Sequence, residues 1–412
     1  MYPLKIVVAL LAVAVPVLLF ELGLRMVREK MDYLAPELIP DPVLGYRIDP
    51  HTGGHDGWGF RNLEVPRISD VVALGDSNTW GVAARWEESW PNWYARKSGK
   101  SVYNLGVSGY GPPEYLHLLE TRALALDPEL VVIGLYYGND FHDTYRSVAR
   151  RERWGYLRKA SMVTPEEGVQ LSESMPGAPF INDKDADSNP IKQLRNGLRR
   201  NSMLFRIIEE GPIGQRVNAW GDQSLDFGGT QCSLQLDSPF PTVVQIDQTL
   251  WGLDLEDVEI EEGIQLALSF VKRLSRVARE NGAEVLVVLI PTKVSVLMRK
   301  SDEVPPGCRS ALEKVLEYEE EIGVRVRRFL QEQGIAFVDT LEPLRDRALE
   351  EAVYLRSADT HPNGEGYEVI AEEIVKATAR KSDSLRDSQR DRPRPRSGPV
   401  PSQKSVTVEG EG

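Results

Sequence analysis

Cysteine is scarce in this chain of 412 residues, which contains only Cys232 and Cys308. The two do not show the spacing of metal ligands, which argues against a cysteine-bound metal site. They are far apart in sequence, and two interpretations stay open. They form one disulfide if the domain is exported, or they are two buried thiols.

Basic residues are in the minority, because 49 Lys and Arg are set against 62 Asp and Glu, for a net charge of -13. Neutralising phosphates requires clustered Lys and Arg, so nucleic acid is excluded as an expected partner. A hydrophobic content of 41% and a charged content of 27% exclude a disordered chain. They suit one large globular domain or two small ones. The sequence shows no internal repeat.

Long apolar runs are absent except at residues 6–24, where Glu21 is the one charged residue. The run predicts a transmembrane helix, interpreted as an uncleaved signal anchor within residues 1–30 that binds the lipid bilayer. A cleaved signal peptide is the alternative, because Ala12-Val13-Ala14 mimics a cleavage site. Lys5 precedes the run and three basic residues follow it, so the positive-inside rule points weakly away from export.

Apolar runs and amphipathic stretches alternate after residues 31–66, which are rich in Pro, Gly and Asp and are predicted to be an irregular lead-in packed on the domain. That alternation is typical of an α/β domain with a parallel sheet and crossover helices, here predicted over residues 67–381. Expected strands span residues 70–74, 101–105, 130–135, 285–290 and 335–339. Expected helices span residues 87–98, 113–126, 261–281, 309–333 and 364–380.

The alternation stops over residues 142–258, where one helix is expected around residues 190–210. A structureless loop of this length is rare in a compact domain. The segment is therefore predicted to be an insertion that caps the active site, or else a small independent domain. Residues 382–412 are rich in Ser, Arg, Asp and Pro, which predicts a disordered tail.

Gly75-Asp76-Ser77 places a serine directly after the first expected strand. Gly75 relaxes the backbone so that the chain can leave the sheet edge, where α/β sheets bind their ligands. Two further blocks follow strands in the same way, Asn104 to Gly109 and Gly138-Asn139-Asp140. A fourth block, Asp359-Thr-His361, comes late in the chain. Because parallel strands end at one edge, the first three blocks are expected to converge there.

Acyl transfer needs a nucleophile, a base and donors for the oxyanion, and these blocks supply candidates for each. Ser77 is the predicted nucleophile and His361 the predicted base, since an imidazole changes charge near working pH. Asp359 is predicted to accept the other ring N–H of His361. The predicted oxyanion donors are the backbone N–H groups of Ser77 and Gly109 and the side-chain amide of Asn139.

The four blocks, which carry Ser, Gly, Asn and His in this order, resemble the SGNH/GDSL hydrolase superfamily over about residues 68–380. The resemblance implies a three-layer α/β/α, flavodoxin-like fold with a parallel five-stranded sheet. It also implies ester hydrolysis without a metal or cofactor. A membrane-anchored bacterial type would place the catalytic domain in the periplasm or outside the cell.

Two positions depart from the pattern of the superfamily. Tyr137 occupies the usual glycine position of the third block, with Gly138 next to Asn139. The last block usually has Asp three residues before His, where this chain has Ala358. The Asp-x-His spacing resembles the alginate O-acetyltransferase branch, so hydrolase and transferase both stay open.

Several other residues are candidates for substrate contact. Asp76 and Asp140 lie beside the catalytic blocks, and Trp80 is near enough to Ser77 to stack on a sugar ring. Lys293 follows an expected strand on the same edge and is a candidate for an anionic or polar substrate group. Asp76, Asp140 and His361 fit no common metal motif, so no metal is expected.

The first functional hypothesis is a membrane-tethered serine esterase that removes acyl groups, chiefly O-acetyl, from a carbohydrate or another polar ester. The second is an acyltransferase, in which a glycan hydroxyl of an exported polysaccharide takes the place of water. The third is a non-catalytic binding or assembly component of a polysaccharide system. The sequence identifies no protein partner.

Overall fold

The computed structural model describes residues 2–151, 153–154, 190–210, 232–237, 239–298 and 304–390. The chain divides into two units, residues 1–375 and 376–412. Every strand of the described chain and every block singled out above belong to the first unit.

The described strands form one large sheet and two small hairpins. They are β1 (Leu38–Asp41), β2 (Gly45–Ile48), β3 (Val71–Leu74), β4 (Val102–Asn104), β5 (Leu130–Tyr136), β6 (Ser233–Leu236), β7 (Thr242–Gln245), β8 (Glu284–Ile290) and β9 (Ala336–Asp339). The large sheet has five parallel strands in the order β4-β3-β5-β8-β9. The expected α/β class and five-stranded parallel sheet are thereby confirmed.

The centre of the sheet is apolar on both faces. All four residues of β3 are buried, as are the last six of β5. Continuous burial of this kind arises because helices cover a parallel sheet from both sides, so neither face needs polar residues. The runs around Val71 and Val131 therefore predict strands well, and their ends lie within one or two residues of expectation.

The order of the strands creates a crevice at one edge of the sheet. From β3 the chain passes to β4 on one side, and it then returns to β5 on the other. At such a switch point the connections leave β3 and β5 in opposite directions, which opens a ligand site at their carboxyl ends. Ser77 follows β3 and Asn139 follows β5, so the topology alone brings these two blocks together.

The described residues form thirteen α-helices. They are α1 (Tyr2–Val27), α2 (Ser77–Trp80), α3 (Trp90–Ser98), α4 (Pro112–Thr121), α5 (Asp140–Arg150), α6 (Pro190–Asn201), α7 (Met203–Glu210), α8 (Ile246–Leu253), α9 (Val258–Glu280), α10 (Lys293–Leu297), α11 (Pro306–Glu332), α12 (Leu341–Arg347) and α13 (Gly364–Arg390). One core contains buried residues of α4, α5 and α9. The buried residues Tyr94 of α3 and Ile370 of α13 lie outside it. Lys97 of α3 pairs with Glu368 and Glu372 of α13.

The segment 142–258 is only partly an insertion. Its first residues belong to α5, which begins at the third block and packs on α9 as a core helix. The prediction that the core pattern stops at Phe141 was therefore wrong. Phe141, Tyr145 and Val148 are buried at helical spacing, which the polar residues between them obscure. The expected helix near residues 190–210 is observed as α6 and α7.

The later part of this segment is tied to the core. Strands β6 and β7 form an antiparallel hairpin, and α8 packs on α11. A disulfide joins Cys232, just before β6, to Cys308 in the first turn of α11. Of the two interpretations of the cysteines, the structure shows the disulfide.

The lead-in at residues 31–66 is more ordered than its composition predicts. It contains the hairpin β1–β2, and its buried Arg61 reaches the segment after the nucleophile. There the guanidinium of Arg61 donates to the backbone oxygens of Trp80, Gly81 and Ala84, at 3.2, 2.7 and 3.1 Å. The lead-in therefore supports the chain that leaves the active site.

The two ends of the chain differ from expectation in different ways. The apolar run lies in α1, and no helix of the described residues is long and apolar enough to cross a membrane. The helix α13 continues to Arg390, past the predicted start of the tail at Ser382. No Gly or Pro lies between Gly366 and Pro393 to end it earlier. The predicted tail beyond Arg390 lies outside the described residues.

Candidate active site

The nucleophile sits on a turn that only glycine permits. A Cβ atom on Gly75 would lie 1.9 Å from Oγ1 of Thr79, one turn further on. Asp76 then caps α2, since its Oδ1 accepts the backbone N–H of Asn78 at 2.9 Å. The chain therefore turns sharply out of β3, and Ser77 begins the next helix with 8% of its surface exposed.

Three side chains form a continuous line of hydrogen bonds beside this turn. Nε2 of His361 lies 2.8 Å from Oγ of Ser77, and its Nδ1 lies 2.7 Å from Oδ1 of Asp359. Asp359 Oδ1 also accepts the backbone N–H of His361 at 2.9 Å. In the tautomer that suits Asp359, Nδ1 carries the proton and Nε2 accepts from Ser77. This arrangement can take the serine proton during attack on a carbonyl.

Asp359 is suited to stay ionised in this line. Burial alone would raise its pKa, but the hydrogen bonds from His361 and the nearby Lys293 ammonium outweigh burial and lower the pKa below its ordinary value. A negative Asp359 keeps the His361 ring oriented and stabilises the imidazolium that forms when Ser77 attacks.

A second carboxylate also reaches the nucleophile. Oδ2 of Asp76 lies 3.1 Å from Oγ of Ser77, slightly farther than His361. Asp76 is completely buried, and burial raises its pKa although the neighbouring His361 and the hydrogen bonds from Asn78 oppose that effect. Its other hydrogen bonds come from Asn78. Asp76 therefore supports the turn from within, and the predicted contact with substrate is wrong because no part of it is exposed.

The predicted oxyanion donors lie at the ends of β3, β4 and β5. Gly109 has a positive φ of 74°, which favours glycine at this position. Asn139 precedes α5, and its Nδ2 donates to Oδ2 of Asp143 at 2.8 Å. An amide nitrogen carries two N–H groups. With one held by Asp143, the other is the candidate donor to an oxyanion.

Asn139 is expected to matter for rate rather than for substrate affinity. In Asn139→Ala, kcat for an ester substrate should fall about 10²- to 10³-fold, because one donor to the developing oxyanion is lost. Asp143→Ala should have a smaller effect in the same direction, since the amide stays but loses its orientation. Steady-state kinetics on a short nitrophenyl ester measure both.

The matched control is Asn92→Ala, because Asn92 bonds only to residues near the start of α3. Its kinetics should equal those of the wild type. Wild-type kcat in Asn139→Ala would contradict a role for Asn139 in binding the oxyanion. An equal loss of kcat in Asn92→Ala would show that the effect is not specific to Asn139.

Asp140 and Trp80 were also predicted to contact substrate, and both side chains bond to other residues of the protein. Asp140 is completely buried, where it accepts the hydroxyl of Tyr115 at 2.8 Å and the backbone N–H of Tyr136 at 2.9 Å. Burial and the neighbouring Asp76 raise its pKa well above the ordinary value. Asp140 therefore buttresses the loop, and the prediction of a substrate contact is wrong.

Trp80 is engaged by the lead-in. The guanidinium of Arg61 lies 4.1 Å from its ring centroid, and its Nε1 donates to Nε2 of His55 at 3.2 Å. Burial lowers the pKa of His55 to about 4, so the ring is neutral and can accept this bond. The interaction with His55 and Arg61 accounts for Trp80 without a sugar.

Lys293 is buried at the start of α10, with 2% of its surface exposed. Its ammonium donates to backbone oxygens of the loop that carries Asp359. Among the described residues, no group of three or more His, Cys, Asp or Glu is placed to hold a metal ion.

The sheet, the turn at Gly75 and the Ser77–His361–Asp359 line define an α/β protein with a serine acyl-transfer site. Residues 71–374 match the family described as GDSL-like Lipase/Acylhydrolase, which covers most of the chain. The chain belongs to this family.

Solved structures of the same kind are similar to the chain at low identity. An extracellular lipase from Streptomyces rimosus is 13% identical, with a TM-score of 0.38, over 75% of this chain and 99% of that one. A mutant of an acetyl-xylooligosaccharide esterase from Geobacillus is 13% identical, with a TM-score of 0.34, over 75% and 93%. A member of the G-D-S-L lipolytic family from Veillonella parvula is 10% identical, with a TM-score of 0.34, over 74% and 96%. No curated protein matches the chain.

Proposed function

We propose that this protein is a serine esterase that removes small acyl groups, chiefly O-acetyl, from a carbohydrate or another polar ester. The observation that carries the proposal is the hydrogen-bonded line from Ser77 through His361 to Asp359. The low exposure of Ser77, 8%, favours a small acyl group over a long chain that needs an open groove. Membership of an acylhydrolase family supports the same reaction class.

The proposed reaction has two halves. His361 takes the proton of Ser77 as Oγ attacks the ester carbonyl, and the oxyanion is bound by the N–H groups of Ser77, Gly109 and Asn139. His361 then protonates the leaving alcohol, which breaks the ester bond and leaves an acyl-serine. Water, deprotonated by His361, attacks this intermediate and releases the acid and the free serine.

A fluorophosphonate probe and a series of nitrophenyl esters test the proposal. Intact-mass analysis should show one phosphonyl group per chain on Ser77, and kcat/KM should be higher for the acetate than for the octanoate. Absence of both labelling and turnover in the folded protein would favour a non-catalytic binding component. Higher kcat/KM for the octanoate would refute the proposed preference for small acyl groups.

Acyl transfer is the second candidate, favoured by the Asp359-x-His361 spacing. The chemistry is unchanged up to the acyl-serine, which a sugar hydroxyl then attacks in place of water. Adding an oligosaccharide should divert product from free acid to acylated sugar if this reaction operates. An unchanged yield of free acid at every acceptor concentration would leave hydrolysis.

We place the catalytic domain on the exported side of a bacterial-type membrane. Disulfides such as Cys232–Cys308 persist in oxidising compartments and are rare in the cytosol, which supports that location. Tethering to a bilayer through residues 6–24 stays a prediction. Cell fractionation that recovers the protein in the cytosol would contradict both.

A further inference from the structure

Lys293 is a buried cation that the acyl-transfer steps do not use. It begins α10 directly after the carboxyl end of β8, and only 2% of its surface is exposed. Removing an ammonium from water is costly unless hydrogen bonds or opposite charges replace the lost solvent. The partners of Lys293 therefore indicate what it does.

Those partners belong to the loop that carries the catalytic base. Nζ of Lys293 donates to the backbone oxygens of Ser357 at 2.9 Å and Asp359 at 2.8 Å. Asp359 is the residue whose carboxylate holds His361. One ammonium thus binds the loop backbone on both sides of Ala358. The second of these contacts is two residues before His361.

Lys293 is itself held firmly on the sheet. The residue before it, Thr292, donates both its backbone N–H and its hydroxyl to Glu319 of α11, and Ser295 donates its hydroxyl to the same carboxylate. Glu319 is buried, and burial raises its pKa despite these three bonds. The start of α10 is therefore a fixed support for the lysine.

The loop is also held from its other side by the hairpin β6–β7. The hydroxyl of Thr242 donates to the backbone oxygen of Leu355 at 2.5 Å, and the backbone N–H of Val243 donates to that of Ser357 at 3.4 Å. Ser357 is thus shared between the hairpin and Lys293. The hydrogen bonds from the hairpin end at Ser357, whereas Lys293 also reaches Asp359 itself.

We propose that Lys293 is a positioning residue whose ammonium holds the 357–361 loop so that Asp359 and His361 meet Ser77. This proposal rests on the proposed function of the Ser77 site. Lys293 touches neither the substrate nor the reacting atoms, and it acts through the backbone of Asp359 and through the charge that it places beside the Asp359 carboxylate.

Charge gives the proposal a consequence that simple packing would not have. The groups near Lys293 are the carboxylate of Asp359 and the ring of Tyr354, whose centroid is 5.5 Å away. Two further charged groups bind Ser295 in the same helix: the Glu319 carboxylate accepts its hydroxyl, and the Arg345 guanidinium donates to its backbone oxygen. Without the ammonium, the Asp359 carboxylate acts unopposed on His361, so protonated His361 is more stable. The acid limb of the kcat/KM–pH profile should therefore move to higher pH in a variant that lacks the charge.

Lys293→Met removes the charge and the donors while keeping an unbranched side chain. It should lower kcat about 10- to 100-fold, as expected for a misplaced base, and leave KM within about twofold. Lys293→Arg, which keeps the charge and N–H donors, should recover part of the loss. Lys97→Met is the matched control, since Lys97 also binds acidic partners near the last block but contacts no part of the loop.

Burial also predicts a basic limb in the wild-type pH profile. It lowers the pKa of Lys293 to about 8, although the Asp359 carboxylate opposes this. Wild-type kcat should therefore decline as pH rises through about 8. The decline should be absent in Lys293→Arg, because a guanidinium stays charged throughout this range.

The deciding measurement is the NMR signal of the His361 Nδ1–H, which bonds to Asp359, in the full-length protein labelled with ¹⁵N-histidine and assigned with His361→Gln. A shifted or lost signal in Lys293→Met, with the wild-type signal in Lys97→Met, supports the proposal. An unchanged signal and kcat would overturn it. If Lys293→Met fails to fold, Lys293→Gln, which keeps donors without charge, decides by the same signal. If the wild type hydrolyses no ester, the proposed function fails while the signal still tests Lys293.

Discussion

In Ser77→Ala, kcat/KM for a nitrophenyl acetate is expected to fall by at least about 10⁴-fold. Oγ of Ser77 is the only atom of the hydrogen-bonded line that can form the acyl-enzyme, since His361 and Asp359 accept and orient the proton. Residual activity should come from the oxyanion donors acting on a bound water. Initial rates and the loss of fluorophosphonate labelling measure the effect together.

The fold of the variant should survive this change. Ser77 gives up hydrogen bonds to Asp76 and His361, but both partners keep others, from Asn78 and Asp359 respectively. Ser98→Ala is the matched control, because the Ser98 hydroxyl bonds only at the end of α3, where it donates to the backbone oxygen of Tyr94 and accepts the backbone N–H of Lys100. Activity that persists in a folded, unlabelled Ser77→Ala protein would mean that another group carries the acyl chemistry.

The blocks of the site were predictable from sequence because each follows a strand whose apolar run is continuous. Residues Val71–Leu74 and Leu130–Tyr136 are buried on both faces, and parallel strands necessarily end at one edge. The pairing of Ser77 with His361 then follows from the roles that acyl transfer requires. The structure confirms that pairing at 2.8 Å.

The predicted substrate residues were less successful because burial depends on distant partners. Asp140 follows the strand edge like a ligand-binding carboxylate, yet the Tyr115 hydroxyl that donates to it comes from a helix 25 residues earlier. Lys293 also lies at that edge, but the backbone oxygens that bind it belong to a loop 64 to 66 residues later. Local spacing carries no signal for either contact.

Asn139 illustrates a signal that was present in the sequence. Asp143 lies four residues after it, and side chains at this spacing meet at the start of a helix. Assigning residues 142–258 to an insertion concealed the relation, because it removed α5 from the core. With α5 recognised, the Asn139–Asp143 bond follows from the helix geometry.

Removal of the imidazole should be as damaging as removal of the nucleophile. In His361→Ala, Ser77 keeps only Asp76 as an acceptor, at 3.1 Å. Asp76 is completely buried and holds hydrogen bonds from Asn78, so it has no exposed atom that could pass the proton on to a leaving group. The expected loss in kcat/KM is about 10⁴- to 10⁶-fold.

The double variant Ser77→Ala/His361→Ala shows whether the two residues act together in one step or contribute independently. If Ser77 and His361 act as one acid–base pair, the double variant should be no less active than the worse single variant, since each change already abolishes the same step. Independent roles would instead multiply the losses. His117→Ala, on α4 and outside the hydrogen-bonded line, is the control and should keep wild-type activity.

Added imidazole should partly restore His361→Ala but not the double variant, because the free base needs the Ser77 hydroxyl as its proton donor. Equal rescue of both would show that Ser77 is not the group His361 deprotonates.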